Sequence, residues 1–343
     1  MKNLTWQNPE QLFVAQELIN KVKSKCCGLK VVIIIPYFSG GGKFARSNDF
    51  WLKSVEKNTS VDFLMFTDKE ISNYPQNMKV VKMPFTDLCE RFQRMLDCDI
   101  SNLHPYKLCD FKPAYGYLFQ EYIKKYDFWG HCDNDLILGD IRHFLTDDIL
   151  GKNDRLLTRG HFTLYRNNKE VNSVFKKAMP SYKEVFSSHL VYHFDEHPGT
   201  GKYWFEYLKE HLYDEIIFDD LNWKEFCFVD VHKSLTKDKN RQYFVYSYED
   251  GKMFRCFWEN GKVGREEIMY AHFQKRTMAV ETVVSDFFAI VPNRFISYVP
   301  NIDYAFLRKN AHDKFTYKPL HFFNVKWNSL KRKIKLWRKR KFK

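Results

Sequence analysis

The chain has 343 residues, 44% of them apolar and 17% aromatic, which is enough to bury a sizeable core. Its net charge of +13 is concentrated in residues 326–343, which hold ten Lys or Arg and no acid; without those ten charges the preceding 325 residues carry +3. A nearly neutral body argues against a protein that binds nucleic acid over its whole surface.

Targeting signals and cysteine spacing narrow the class of protein further. The longest aliphatic run, Val31–Ile35, is far shorter than the roughly 20 apolar residues of a membrane-spanning helix, and Met1–Gln11 has no signal-peptide core. The eight cysteines include no Cys-x-x-Cys pair, which predicts reduced thiols and neither a zinc site nor a disulfide framework. We therefore expect a cytoplasmic protein.

The first elements in the chain are a helix and a buried strand. Pro9 opens a stretch with apolar residues at helical spacing, and we assign residues 1–30 to an N-terminal packing helix. The β-branched run Val31–Ile35 is typical of a strand covered on both faces, so it predicts the first central strand of an α/β sheet. Gly40–Gly42 superficially fits a dinucleotide fingerprint, but it does not follow the strand directly, which favours a flexible loop.

The next elements lead to an acidic part of the chain. Apolar spacing predicts a helix Asn48–Lys57, strands Val61–Thr67 and Met78–Met83, an amphipathic helix Asp110–Lys125 with Asp110 as its N-cap, and a strand Phe128–Cys132. This order of strands and helices favours an α/β sheet, and ligands of such sheets lie at the carboxyl ends of the strands. Tyr37 and Asp68 follow such ends, as do the residues after Cys132, so one cleft could collect them.

Two carboxylates stand directly behind the strand Phe128–Cys132. Because side chains alternate along extended backbone, Asp133 and Asp135 point the same way, while Asn134 points the other. Carboxylates so placed repel each other unless a cation lies between them, and oxygen ligands of this kind suit Mg²⁺ or Mn²⁺. A solvated surface turn is the alternative, because Asp-x-Asp triplets also occur by chance.

The second half of the chain contains shorter elements. We predict a strand Leu156–Tyr165, helices Asn172–Met179 and Tyr203–Leu212, a strand Glu215–Phe218, a hairpin within Tyr243–Trp258 with a second tight turn at Glu259–Lys262, and a strand Ile268–Tyr270. No linker or repeat interrupts this region. Residues 31–325 are therefore interpreted as one α/β domain with a mixed central sheet flanked by helices.

Residues 326–343 form a basic appendage. Trp327, Leu330, Ile334 and Trp337 recur at helical spacing, and Lys and Arg fill the remaining arc. This pattern is typical of an interfacial helix on an anionic membrane, so we expect a peripheral position on the inner face of the cytoplasmic membrane. A disordered solubilising end is one alternative. Nucleic-acid binding is the other, and we expect no nucleic-acid partner because the aromatic residues follow helical spacing.

Several short motifs stand in one order along the chain. A strand ending in Pro-Tyr-Phe and a second ending in Phe-Thr-Asp are followed by PYKLCDFKPAYG at 105–116, YDFWGHCDND at 126–135 and GHFTLYRN at 160–167. Over roughly residues 31–275 the chain resembles a family of bacterial surface-polysaccharide glycosyltransferases with the GT-A fold. The Asp-x-Asp triplet alone is common, whereas its position directly behind the Lys-x-x-Asp-x-Lys-Pro segment is specific.

This resemblance implies roles for individual residues. In GT-A enzymes the ends of the first two strands hold the nucleotide, which assigns Pro36, Tyr37, Phe38 and Asp68 to the nucleotide. The Asp-x-Asp carboxylates hold a divalent metal on the pyrophosphate, which assigns Asp133 to ribose and metal and Asp135 to the metal.

Further donor contacts are implied in the same way. Lys107 and Asp110 match a position of polar contacts to the donor sugar or diphosphate; for Lys107 a surface lysine at a helix start is the alternative. The segment after Tyr270 resembles the late histidine element of GT-A enzymes, so His272 would be a third metal ligand, and Lys275 or Arg276 would face the phosphates. An ordinary hydrogen-bonded histidine is the alternative for His272.

The loop His193–Gly201 contains the candidates for the catalytic carboxylate. Asp195 and Glu196 are the candidates, with Asp195 slightly favoured, as a base in an inverting enzyme or as a stabiliser of the oxocarbenium ion in a retaining one. A loop without catalytic function is the alternative. His161 borders the acceptor or donor sugar or is structural, and Asp219–Asp220 is interpreted as a turn.

Together these expectations predict a metal-dependent glycosyltransferase. It would move a hexose from a nucleotide-diphosphate sugar, such as a UDP-sugar, to a surface-glycan or lipid-linked acceptor. One alternative is a catalytically inactive nucleotide-sugar-binding protein. A basic membrane- or nucleic-acid-binding protein is another, but it would leave the acidic cleft without a purpose.

Overall fold

The computed structural model describes residues 28–101, 103–178, 181–195, 212–213, 219–220, 241–273 and 278–311. The chain divides into two compact units, residues 1–216 and residues 217–343. The sequence contains no linker at this division, and the single domain over 31–325 stays a prediction. Other sequence predictions lie wholly or mostly outside the described residues: the helix within 1–30, the helix over 203–212, the strand over 215–218 and the helix over 326–343.

The first unit is built on a mixed seven-stranded sheet with the strand order β3-β2-β1-β4-β7-β6-β8. The strands of this unit are β1 (Val31–Tyr37), β2 (Val61–Thr67), β3 (Met78–Lys82), β4 (Phe128–Cys132), the separate β5 (Leu136–Leu138), β6 (Arg155–Arg159), β7 (Phe162–Arg166) and β8 (Leu212–Tyr213). β1 runs parallel to both of its neighbours, β2 and β4, whereas β7 is antiparallel to β4 and to β6. The predicted mixed sheet is confirmed.

β1 is central because its side chains are covered on both faces. Residues Val31–Ile35 are at most 4% exposed. Each aliphatic side chain buried in this way stabilises the fold by about 1.5–3 kcal/mol relative to an exposed one. β-branched residues also suit a pleated surface that packs on both sides.

Helices flank this sheet. The described residues of the unit form α1 (Asn48–Lys57), α2 (Phe85–Met95), α3 (Tyr115–Leu118), α4 (Ile141–Phe144), α5 (Asp147–Lys152), α6 (Lys169–Ser173) and α7 (Tyr182–Ser187), with 3₁₀ helices over Pro105–Ala114 and Val174–Lys177. Buried side chains of β1 and β2, such as Val32 and Leu64, share one core cluster with Phe92 of α2 and Phe111 of the first 3₁₀ helix. The packing of these elements fixes the position of the 3₁₀ helix against the sheet.

The predicted continuous α-helix Asp110–Lys125 is wrong. The chain forms a 3₁₀ helix over Pro105–Ala114 and then one α-helical turn, α3. Pro113 lies inside this stretch, and proline removes a backbone N–H donor and clashes with the carbonyl four residues earlier. Asp110 is therefore not an N-cap but a buried residue within the 3₁₀ helix.

Other boundaries also differ from the predictions. The single strand Leu156–Tyr165 is in fact two antiparallel strands, β6 and β7, joined at Gly160 and His161. The helix predicted from Asn172 begins earlier, at Lys169, because the Asn168 side chain caps it. The helix α2 was not predicted, although Leu88 and Phe92 lie four residues apart on its buried face.

The second unit contains a six-stranded sheet with the order β12-β11-β10-β15-β16-β14. Its elements are β9 (Asp219–Asp220), β10 (Gln242–Glu249), β11 (Lys252–Glu259), β12 (Lys262–Ile268), β13 (Tyr270–His272), β14 (Ala279–Val280), β15 (Phe287–Val291), β16 (Arg294–Ser297) and α8 (Tyr304–Asn310). Both predicted tight turns are confirmed, and Asp250, Gly251, Asn260 and Gly261 have positive φ angles there.

The prediction of a turn at Asp219–Asp220 is wrong, because these residues form β9 and pair in parallel with β13. A small core supports this unit, with α8 packed by Leu307 against Val245 and Val291 of the sheet. None of the described helices is both long and apolar enough to cross a membrane.

Candidate active site

The acidic triplet lies at the carboxyl end of β4. Parallel pairing aligns Tyr37 at the end of β1 with Thr67 at the end of β2, and Ile34 of β1 lies beside His131 of β4. Three strand ends therefore meet at one edge of the sheet, where ligands of α/β sheets bind. Asp68 and Asp133 each follow one of these ends.

The triplet is held between two buried strands. A carboxylate oxygen of Asp133 and one of Asp135 lie within 4.8 Å of each other, and both residues are half-buried. The backbone N–H of Asp133 donates to the carbonyl of His161 (3.0 Å), and the buried strand β5 follows the triplet directly. This arrangement differs from the fully solvated surface turn that was the alternative.

Lys112 is a member of the site that the sequence analysis missed. Its Nζ donates to the Asp133 carboxylate at 2.7 Å and to the carbonyl of Gly160 at 2.7 Å, and lies 3.4 Å from the Asp195 carboxylate. Its side chain is 11% exposed. In the sequence, the only signal for Lys112 was the Lys-Pro pair within the 105–116 motif, which was predicted to be part of a helix.

Opposing effects act on the pKa of Lys112. Burial lowers it, but the carboxylates of Asp133 and Asp195 outweigh burial and hold the pKa well above its ordinary value. Lys112 is therefore a fixed cation at neutral pH. Its ammonium contacts the carboxylates of Asp133 and Asp195, and a carboxylate oxygen of Asp135 lies within 4.8 Å of one of Asp133.

Asp195 lies in the first unit and is 4% exposed. It follows the segment that crosses over the 3₁₀ helix, and its ion pair with Lys112 brings it to the acidic triplet. Glu196, the second catalytic candidate, lies outside the described residues. His161 is 5% exposed and contributes its carbonyl to the backbone of Asp133. Its predicted contact with a sugar stays a prediction.

The predicted nucleotide-binding residues fall into two groups. Pro36 and Tyr37 are half-buried at the end of β1, and the Tyr37 ring packs edge-on against Phe44 at 5.4 Å. Phe38 is 5% exposed and packs against Phe85 at 5.3 Å, so it contributes to the core. Contact of these residues with a nucleotide stays a prediction.

Asp68 binds the glycine loop. Its carboxylate accepts hydrogen bonds from the backbone N–H groups of Ser39 (3.2 Å), Gly40 (2.8 Å) and Gly41 (2.8 Å). Gly40–Gly42 have φ angles of +74° to +80°, a region that glycine adopts without strain. Burial raises the pKa of Asp68, but the three backbone donors outweigh burial and lower it from its ordinary value. The loop is thus tied to the end of β2.

Lys107 and Asp110 are brought together by the structure, but away from solvent. Their side chains form an ion pair at 2.6 Å, and both are 0% exposed. Their described contacts are with protein groups, so the surface-lysine alternative is wrong. Their predicted contact with the donor stays a prediction.

In the second unit, His272 ends the strand β13 and is 6% exposed. It pairs with Asp220 in the register of β9 and β13. Lys275 and Arg276 lie outside the described residues. Within the first unit, Asp133 and Asp135 offer two carboxylates that could hold a divalent metal ion, and the role of His272 as a third ligand stays a prediction.

Solved structures similar to this chain include two glycosyltransferases. The glycosyltransferase GlyE of Streptococcus pneumoniae TIGR4 is 12% identical with a TM-score of 0.29 over 55% of this chain and 45% of GlyE, so the chain spans less than half of that structure. The galactosyltransferase LgtC, solved with donor and acceptor sugar analogues, is 9% identical with a TM-score of 0.38 over 73% of this chain and 88% of LgtC.

Sequence comparison gives a family. A search of curated proteins finds no match. A family model described as a family of unknown function, DUF6625, matches residues 33–299, which is most of the chain. The chain belongs to the DUF6625 family.

Proposed function

We propose that this protein is a metal-dependent glycosyltransferase that transfers a hexose from a nucleotide-diphosphate sugar, first among them a UDP-sugar, to a surface-glycan acceptor. One observation carries the proposal. The half-buried carboxylates of Asp133 and Asp135 lie at the carboxyl end of a central parallel strand, and Lys112 pairs with both Asp133 and Asp195. The motif resemblance over residues 31–275 supports the same reaction.

The reaction requires the charges that this cluster provides. The bond between the anomeric carbon and the diphosphate oxygen breaks, a bond to the acceptor hydroxyl oxygen forms, and the hydroxyl proton leaves. Asp133 and Asp135 would hold Mn²⁺ or Mg²⁺, which would supply electrostatic stabilisation to the departing diphosphate, and the motif resemblance gives His272 as a third ligand. Lys275 would add a positive charge on the phosphates, and Asp68 with Pro36–Phe38 would bind the nucleotide.

Asp195 is the proposed catalytic carboxylate. Its carboxylate lies 3.4 Å from the ammonium of Lys112. An ionised carboxylate can stabilise positive charge on the sugar ring or accept the proton of the acceptor hydroxyl. Glu196 is the second candidate for the same role.

The experiment is release of nucleoside diphosphate from a panel of nucleotide sugars, measured with Mn²⁺, with Mg²⁺ and with a chelator. We expect release from at least one donor that depends on the divalent ion. Thermal stabilisation by a donor without any release would indicate the catalytically inactive nucleotide-sugar-binding protein instead. The proposal would be refuted if no donor stabilised the protein and no donor released nucleoside diphosphate.

We also propose that residues 326–343 hold the protein on the inner face of the cytoplasmic membrane, near a lipid-linked acceptor. The support is the composition of this segment, because each basic residue near an anionic surface contributes on the order of 1 kcal/mol. Removing residues 326–343, or raising the salt concentration, should release the protein from anionic liposomes while donor hydrolysis persists. A truncated protein that still sediments with the liposomes would show that the anchor lies elsewhere.

A further inference from the structure

The 3₁₀ helix Pro105–Ala114 carries an ion pair that takes no part in the cluster described above. A 3₁₀ helix has three residues per turn, so residues three apart lie directly above one another. Lys107 and Asp110 are spaced in this way, and their charged groups meet at 2.6 Å with no exposure of either side chain. We call this pair the clasp.

Lys107 uses its ammonium donors on protein groups. Besides Asp110, Nζ donates to the carbonyl of Val185 at 2.7 Å and to the carbonyl of Leu190, which matches the three donors that an ammonium has. Val185 lies in the last turn of α7, where its carbonyl also accepts the backbone N–H of Ser188 at 3.4 Å. Lys107 therefore ties the end of α7 to the segment that follows it.

Asp110 binds the same segment at residues two and four positions after Leu190. Its carboxylate accepts hydrogen bonds from the backbone N–H groups of Tyr192 (2.9 Å) and Phe194 (3.0 Å). N–H groups two residues apart reach one carboxylate here because His193, between them, has a positive φ of 54°. Histidine is among the residues that occur more often than most in this left-handed region.

The segment held in this way leads directly to Asp195. Phe194 is 1% exposed, and its ring packs against Phe186 at 6.0 Å, so the backbone immediately before Asp195 is fixed on both sides. Lys112, in the same 3₁₀ helix as the clasp, lies 3.4 Å from the Asp195 carboxylate. One short helix therefore holds both the backbone that presents Asp195 and the cation that pairs with its side chain.

A buried ion pair is weak evidence for stability, because its desolvation cost offsets much of its attraction. Its contacts with four backbone groups between Val185 and Phe194 indicate positional specificity instead. We infer that Lys107 and Asp110 are positioning residues that fix Asp195 in the candidate active site, and not ligands of the donor sugar. This inference rests on the proposed function only for its kinetic readout.

The first test is hydrogen exchange of the folded Lys107→Met protein, which requires no activity. Loss of the clasp should accelerate exchange of the Tyr192 and Phe194 amides by about tenfold, the equivalent of one lost hydrogen bond. Arg166→Met is the matched control. Arg166 also pairs with an aspartate, Asp154 at 2.6 Å, and also donates to backbone carbonyls, those of Leu150, Gly151 and Asn153. Its loss should leave the amides of Tyr192 and Phe194 unchanged.

The second test is kinetic. Lys107→Met should lower kcat by roughly tenfold while donor affinity changes less than about twofold, because a displaced catalytic group acts on the transition state. In an Asp195→Asn background the same substitution should have little further effect on kcat, since coupled residues are not additive. Arg166→Met should leave kcat unchanged in both backgrounds.

Two results would overturn the inference. One is unchanged exchange at Tyr192 and Phe194 in the folded Lys107→Met protein; the other is a loss of donor affinity as large as the loss of kcat, which would indicate a donor contact. If Lys107→Met does not fold, the shape-preserving Asp110→Asn takes its place with the same readouts. A wild-type protein that releases no nucleotide from any donor would refute the proposed function, while the exchange measurement would still decide whether the clasp orders this segment.

Discussion

Two lysine–aspartate pairs start from one 3₁₀ helix and are nearly equal in distance. Lys107 and Asp110 meet at 2.6 Å with both side chains 0% exposed, whereas Lys112 and Asp133 meet at 2.7 Å with side chains 11% and 35% exposed. The first pair is balanced in charge and bonded to backbone groups. The second borders the carboxylates of Asp135 and Asp195 and is partly open to solvent.

The comparison shows that residue type and distance do not separate a structural ion pair from one in a functional site. What separates them is the number of carboxylates around the lysine and the access of solvent. A closed pair bonded to backbone groups can only hold its surroundings in place. An open cluster of carboxylates can exchange partners with a cation or a charged substrate.

The largest effect on the open cluster is expected from substitution of Asp135. Asp135→Asn keeps the shape but removes one charge from the proposed cation site, so Mn²⁺-dependent release of nucleotide should fall roughly 100-fold or more. The thermal unfolding midpoint without metal should change little, because the side chain is half-buried. Asn134→Ala is the control, since its side chain is expected on the other side of the triplet. Undiminished Mn²⁺-dependent turnover in Asp135→Asn would exclude the metal assignment.

Lys112→Met removes the basic partner from the same cluster. Without the ammonium the carboxylates of Asp133 and Asp195 each lose one positive partner, so the site should bind Mn²⁺ at least as tightly as before. Turnover should fall about tenfold, because a partner of a ligating carboxylate is lost. Calorimetric titration with Mn²⁺ and steady-state kinetics measure the two effects.

The clasp variant Lys107→Met provides the contrast for Lys112→Met. It should leave the affinity for Mn²⁺ unchanged, because Lys107 contacts Asp110 and backbone carbonyls. Equal changes of Mn²⁺ affinity in both variants would show that the two pairs do not differ as described.

The smallest effect is expected at Asp68, a carboxylate bonded to backbone donors instead of a lysine. Its lowered pKa means that its stabilisation of the loop is present above the ordinary value of 3.8 and is lost as pH falls through the lowered pKa. The amide resonances of Gly40 and Gly41 should therefore titrate with a midpoint below 3.8. Asp68→Asn should abolish this titration, and a midpoint above 3.8 in the wild type would contradict the assignment.

Several elements could be predicted from the sequence because their signals are local. The β-branched run predicted β1, and α1, β2 and β4 have the predicted bounds. The placement of Asp133 and Asp135 behind β4 needed only strand periodicity and the rule that ligands lie at strand ends. The two tight turns of the second unit were predicted for the same reason, since their residues must adopt positive φ whatever surrounds them.

Tertiary structure alone decided how the charged residues of the 3₁₀ helix are used. Pro113 makes this helix 3₁₀, so each residue turns by about 120° instead of about 100°, and Lys107 aligns with Asp110 while Lys112 faces elsewhere. Periodicity gives the face of a helix but not the element that packs on it. The partners come from residues 82 positions away for Asp110 and 48 positions away for Lys112. Only folding brings such distant groups within hydrogen-bond reach, and their contacts distinguish a positioning pair from a member of the active site.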